Sequence, residues 1–290
     1  MHSFNARTAS LDALKGPPLR YKVKMSLLSP ALITRFTELR LDEPTLDFIE
    51  AGNGALSLVR DGAAKVLRSF LSVTDANALT GRGGMFVFSL PQLALLGLEL
   101  DELGGGSGSG SGGGALLDIG AGDGGVTAVL APHFSRVVTT ELSGPMAGRL
   151  RGRGWECKET ADLGPEVFKG AKFELVQCLN VLDRADKPLT LLRQLRELVQ
   201  PETGRLLLAV VLPWCPFVED GSNQRRPTET LPMKGGTCCE GKPSPPPRAS
   251  SKACEMYAAA PLLLSPWLPS RHGASRTIPK WRGSGAAVAV

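Results

Sequence analysis

The chain has 290 residues, 42% hydrophobic and 21% charged, with a formal net charge of +5; that is enough for one or two domains and is not the composition of a disordered chain. Residues 221–290 hold 10 Lys/Arg against 3 Asp/Glu, and residues 1–220 hold 23 against 25, so the basicity belongs to the tail and no nucleic-acid face is expected on the body. No apolar run reaches the ~18 residues of a membrane span, and the six scattered cysteines, with no C-x-x-C pair, point to reduced thiols rather than to a zinc site or a disulfide scaffold.

Residues 1–29, with Pro17-Pro18 and mixed charges, are expected to be poorly ordered. They show no basic-then-apolar leader pattern, which predicts a cytoplasmic protein. The region 30–103 reads as helical. Ser29-Pro30 opens one helix with Leu32, Ile33, Phe36 and Leu39 on one face, and a second pattern runs from Leu56 to Leu71. Ser89 caps a short helix with Pro91 in its first turn. Residues 104–114 contain only glycine and serine and form a flexible linker.

From Ala115 to Asp220 the texture alternates. Strands are predicted at Ala115–Ile119, Arg136–Glu141, Phe173–Cys178 and Arg205–Leu212, and helices at Gly125–Pro132, Pro145–Arg153 and Pro188–Val199. Short apolar strands alternating with amphipathic helices imply βαβ units and a parallel sheet covered on both faces. The last helix carries a stripe of Leu189, Leu192, Leu195, Leu198 and Val199. Residues 221–290 hold 10 of the 22 prolines and are expected to be mostly disordered, with only Ala258–Leu264 hinting at order.

The chemistry concentrates after the first strand, in Asp118-Ile119-Gly120-Ala121-Gly122-Asp123-Gly124. Glycines there let backbone approach a ligand closely. A dinucleotide fold uses similar glycines to seat a pyrophosphate on a helix N-terminus. Asp118 and Asp123 would repel that anion but suit a cationic ligand with an amino group and a sulfonium, which favours S-adenosylmethionine. Glu141 ends the second strand about twenty residues on, where an acid can accept both hydroxyls of a ribose; its alternative is a solvated strand-end charge. Asn180 and Asp183 follow the next strand, at the carboxyl edge that lines the crevice of open α/β sheets. Asp183 is either a polar group at the methyl-transfer site or a cap on the helix that follows. His133 beside Pro132 is expected to be structural, and no metal-ligand set is present.

Taken together these segments resemble the DREV group, also called methyltransferase-like protein nine, the protein-histidine N-pros-methyltransferases. The resemblance runs over about residues 40–235. Its particular segments are Leu79-Thr80-Gly81-Arg82-Gly83-Gly84-Met85-Phe86-Val87-Phe88-Ser89 and Cys178-Leu179-Asn180-Val181-Leu182-Asp183-Arg184. Thr140-Glu141-Leu142-Ser143 and Leu212-Pro213-Trp214-Cys215-Pro216-Phe217-Val218-Glu219 add to it. The resemblance implies a Rossmann-like class I S-adenosylmethionine-dependent methyltransferase sheet with a helical N-terminal extension. It implies protein substrates carrying His-x-His, methylated on the pros nitrogen. It implies that Asp118, Gly120, Gly122, Glu141 and Asn180 hold S-adenosylmethionine and that Asp183 lies beside the substrate imidazole. It also raises an endomembrane or mitochondrial association.

After Lys234-Gly235 the sequence departs from the family pattern. The final strands are therefore expected to be missing, which leaves the 205–212 strand as a raw sheet edge and raises an inactive isoform as one alternative. Methylation of another side chain or of a small molecule is the other.

Overall fold

The computed structural model describes residues 25–27, 30–51, 86–104, 113–211, 214–220, 223–231, 259–264 and 287–289. The Leu56–Leu71 pattern, the Leu79–Met85 part of the glycine-opened segment, residues 1–24 and most of the tail lie outside the described residues.

The strands are β1 (Phe36–Thr37), β2 (Ala115–Ile119), β3 (Arg136–Thr140), β4 (Glu156–Lys158), β5 (Leu175–Leu179), β6 (Arg205–Val211), β7 (Val218–Asp220), β8 (Asn223–Arg225), β9 (Ala259–Leu264) and β10 (Ala287–Ala289). The helices are α1 (Pro30–Ile33), α2 (Glu43–Ala51), α3 (Leu90–Leu95), α4 (Leu100–Gly104), α5 (Gly125–Leu130), α6 (Gly144–Gly152), α7 (Pro165–Phe168) and α8 (Pro188–Leu198). One eight-stranded sheet has the order β1-β10-β9-β6-β5-β2-β3-β4. Strands β4, β3, β2, β5 and β6 are mutually parallel. This is a Rossmann-like α/β fold with a mostly parallel central sheet, and the N-terminal segment contributes helices.

Two cores flank the sheet because successive side chains of a strand face opposite sides. On one side Leu117, Ile119, Val176, Cys178, Leu206 and Leu208 pack with α8 and α7. On the other, Leu116, Leu175, Leu179, Leu207 and Ala209 pack with α3, α4 and α5. The N-terminal residues Phe88, Leu93, Leu96 and Leu103 are part of this second core. Ser89 closes a full capping box with Gln92, and its hydroxyl also meets Asp42, which ties the segment before α2 to α3. The Gly/Ser run leaves and returns at one point, since the Gly114 N–H donates to the Gly104 carbonyl at 3.1 Å.

Three expectations are corrected here. The helix opened by Pro30 stops at Ile33, and Phe36 instead starts a strand that pairs with β10. The stripe of α8 is centred on Leu191, Leu195 and Leu198, with Leu192 only partly buried. The C-terminal strands are present: β9 runs antiparallel along β6 from Leu206↔Leu264 to Val211↔Ala259, and β10 pairs with β9. Ala259-Ala260-Pro261-Leu262-Leu263-Leu264 is the short apolar run that hinted at order inside the proline-rich tail, and it forms this strand. An uncovered β6 would leave a row of unpaired peptide groups, and this run is long enough to satisfy them.

Candidate functional site

The candidate site gathers at the carboxyl ends of β2, β3 and β5. The chain leaves β2 through Gly120, at φ 66°, where a side chain would meet the Val181 Cγ2 methyl at 2.6 Å. Gly124, at φ 76°, runs under the Trp155 ring, which a Cβ would approach to 2.7 Å. Only glycine meets both requirements at little cost. The loop is held from β3: the Ala121 N–H donates to the Thr140 carbonyl at 3.0 Å and the Gly120 N–H to the Thr140 hydroxyl at 3.2 Å. The resulting recess is lined by Asp118, Gly120, Ala121, Gly122, Asp123, Val126 and Leu179. Around Gly122 the space a Cβ would enter is open, as a close-approaching ligand requires.

Asp118 is 3% exposed and accepts a hydrogen bond from the Thr127 hydroxyl, on α5, at 2.5 Å. Burial pushes its carboxyl up to about 7; the Thr127 hydroxyl and the Gln177 amide oppose that rise, and nearby Glu141 adds to it. A carboxylate held dry beside a second acid is a site in need of a cation.

Glu141 is buried rather than solvated. One carboxylate oxygen accepts the Gly122 N–H at 2.9 Å and the other accepts the Ser143 N–H at 2.9 Å. Without a ligand the side chain therefore clamps the glycine loop to the end of β3. Each oxygen keeps a second lone pair for a hydroxyl. These two bonds give the side chain a structural role that a solvated strand-end charge lacks.

Asn180 follows β5 in the left-handed region, at φ 56°, where asparagine is the most tolerated of residues with a side chain after glycine. Its N–H donates to the Ala209 carbonyl at 2.9 Å. Asp183 is 2% exposed, and its Oδ1 has no hydrogen-bond partner. The Arg184 guanidinium lies 3.5 Å from the other oxygen and stacks 3.7 Å over the Phe217 ring. The Phe217 N–H donates to the Asp183 carbonyl at 3.0 Å. Burial raises the Asp183 pKa, and Arg184 partly opposes the rise.

Asp183 caps no helix. The N-cap of α8 is Lys187, with no side-chain bond, and the Thr190 N–H donates instead to Glu229 at 2.9 Å. Asp186 is taken by Arg225 at 2.6 Å and by the Thr228 N–H at 3.0 Å. These bonds fold the β7–β8 segment against the Asp183 loop, and Arg225 with Thr228 holds Asp186 down at about 2.

His133 ends a short 3-10 turn with its Nδ1 3.7 Å from Asp101, away from the recess. Among the described residues no group of His, Cys, Asp and Glu could hold a metal ion, and no helix is long and apolar enough to cross a membrane. Cys157 and Cys178 are free thiols. Cys215 is disulfide-bonded, which corrects the expectation of wholly reduced cysteines.

Sequence reasoning missed Thr127, Thr140 and Gln177, which surround Asp118 or hold the loop. Gln177 had a visible signal, a lone polar residue inside Leu175–Leu179. Thr127 had none, because a threonine one turn into a helix is ordinary.

A family model described as DREV methyltransferase matches residues 20–244. Among solved structures, the chain is similar to an S-adenosylmethionine-dependent methyltransferase from Mesorhizobium loti, at 22% identity over 42% of this chain and 52% of that one, with a TM-score of 0.33. It is similar to the N-methyltransferase NodS from Bradyrhizobium japonicum, solved with S-adenosyl-L-homocysteine, at 24% identity over 38% and 58%, with a TM-score of 0.30. The YcgJ protein of Bacillus subtilis aligns at 17% identity over 40% and 50%, with a TM-score of 0.32. The chain thus spans about half the length of the solved structures it matches.

Proposed function

The chain belongs to the DREV methyltransferase family, within the S-adenosylmethionine-dependent methyltransferases, and from that premise we propose that it methylates the pros nitrogen of histidine in protein His-x-His motifs. The observation that carries the proposal is Asp183. It is a buried carboxylate with one unpartnered oxygen, three residues beyond Asn180 and next to the loop whose Val181 packs on Gly120.

The residues present fit S-adenosylmethionine. Asp118 and Asp123 supply negative charge to the recess, the bare Gly122 backbone leaves room, and Glu141 keeps lone pairs for a diol. The cofactor supplies an electrophilic methyl group on a sulfonium. A neutral imidazole, with a pKa near 6.5 in the free side chain, is already nucleophilic at neutral pH. The protein's part is therefore to orient the ring and select its nitrogen. Asp183 Oδ1 accepts the tele N–H, which leaves the pros lone pair free, and its negative charge stabilises the imidazolium that forms. The raised pKa of Asp183 makes it a stronger hydrogen-bond acceptor than a solvated carboxylate.

The test is a peptide array carrying His-x-His, with each histidine replaced in turn, read by mass increase of one methyl group and by NMR assignment of the ring nitrogen. Methylation only of His-x-His peptides on the pros nitrogen supports the proposal. Methylation of another side chain or of a small molecule replaces it. Cofactor binding without turnover on any substrate returns the chain to a non-catalytic role.

A further inference from the structure

Gln177 is fully buried in the middle of β5. It stands in register with Asp118 on β2 and with Leu207 on β6. Registered residues of a parallel sheet project to the same face, so Gln177 shares the face of Asp118, on which Thr127 of α5 also lies. Neither its Nε2 nor its Oε1 reaches a partner at full hydrogen-bond geometry, yet the amide lies close enough to Asp118 to favour its ionised form. The neighbouring position in the same row, Leu207, is filled by an apolar side chain that packs in the core. Burying both ends of an amide unpaired works against the fold, and packing alone gives no reason for glutamine here. The polar group it faces is Asp118.

Three groups act on that carboxylate: the Thr127 hydroxyl at 2.5 Å, the Gln177 amide and the Glu141 carboxylate. Thr127 and Gln177 are the two that favour the ionised form. The recess beside Asp118 is the one assigned above to a cationic cofactor, and the inference rests on that reading. We propose that Gln177 is a positioning residue for cofactor binding: its amide N–H closes on the Asp118 carboxylate and holds it ionised and turned toward the glycine loop.

The experiment uses the full chain, with Gln177→Met as an apolar near-isostere and Gln177→Asn as an amide drawn back by one methylene. Two quantities are measured: the Asp118 side-chain carboxyl titration by carbon-13 NMR without cofactor, and the Kd for S-adenosylmethionine from pH 6 to 9 by calorimetry. In both variants the Asp118 midpoint is expected to rise. Affinity is expected to fall about tenfold at pH 7, the equivalent of one unit of pKa, and to recover toward wild type at pH 9. Thermal stability of Gln177→Met should be equal to or above that of wild type. An unmoved Asp118 midpoint, or a loss of affinity equal at every pH, overturns the inference, since either is what a packing role produces. A wild-type chain that binds no S-adenosylmethionine at any pH sinks the cofactor reading instead, and the carboxyl titration alone then decides whether Gln177 acts on Asp118.

Discussion

Replacing Glu141 with alanine removes two hydrogen bonds at once, those accepted from Gly122 and Ser143, both at 2.9 Å. Bonds from a backbone N–H to a charged acceptor contribute about 1.5–3 kcal/mol each; one donor here lies in the glycine loop and the other at the N-cap of α6. A stability loss of about 3 kcal/mol or more is expected for Glu141→Ala, and about half of that for Glu141→Gln, whose amide can accept only one of the two. Urea denaturation measures the loss, and hydrogen exchange at the Gly122 amide locates it. If the side chain also binds a ribose diol, the Kd for S-adenosylmethionine should weaken by roughly 10–100-fold under conditions where the variant is still folded. Unchanged stability would refute the clamp. Lost stability with an unchanged Kd would keep the clamp and remove Glu141 from the cofactor site.

Asp118 sits at about 7 in the fold against 3.8 for the free side chain. Because the folded value is the higher, its contribution to stability is full below about pH 4 and is lost as pH rises to about 7, on the order of 4 kcal/mol in all. Asp118→Asn should therefore flatten the stability difference over that window, and it should abolish the rise in cofactor affinity with pH that a cation on a titrating carboxylate produces; parallel stability curves would count against it. Asp183→Asn should bind cofactor normally and lose at least ~10²-fold in turnover on a His-x-His peptide, since an amide can offer N–H to the ring and favour the wrong tautomer; near-normal turnover would remove Asp183 from the chemistry. Gly120→Arg should bind no cofactor by calorimetry, because the Cβ alone meets Val181 at 2.6 Å and φ is 66°. Truncation before Ala259 should uncover β6 along the whole Leu206–Val211 ladder, and sedimentation should show concentration-dependent association; a monodisperse truncated chain would mean that β9 does not cover that edge in solution.

The parts of the fold legible in the sequence are those with a local signal. The strands β2, β3, β5 and β6 are apolar runs, and each emerged within two residues of its expected bounds. Helix α8 emerged because Pro188 opens it and a leucine stripe follows. Strand β4 did not, because Glu156-Cys157-Lys158 is a three-residue edge strand whose charges face solvent and whose only mark is its pairing with β3. The same holds for β1 and β9. Phe36–Thr37 looked like the next turn of a helix, and Ala259–Leu264 gave only a hint of order in the tail; the first becomes a strand through β10, more than 250 residues away, and the second through β6, 48–58 residues away, and β10. Pairing energy of that kind leaves no trace in the segment itself.

The site divides along the same line. The glycines at 120, 122 and 124 were readable because each takes a backbone conformation that residues with side chains adopt at a cost. The roles of the acids were only half readable. Sequence places Asp118, Glu141 and Asp183 at strand ends but does not show that Glu141 is already bonded on both oxygens, or that Asp183 caps nothing. The cap on α8 comes instead from Glu229, 39 residues after the Thr190 it binds. With Glu229 on Thr190 and Asp186 held by Arg225 and Thr228, Asp183 is left buried beside these bonds with its Oδ1 unpartnered. Glu229, beyond β8, accepts the Thr190 N–H of α8, as Glu141 accepts the Gly122 N–H of the glycine loop. In each place a carboxylate distant in the chain satisfies a backbone N–H that has no partner within its own element.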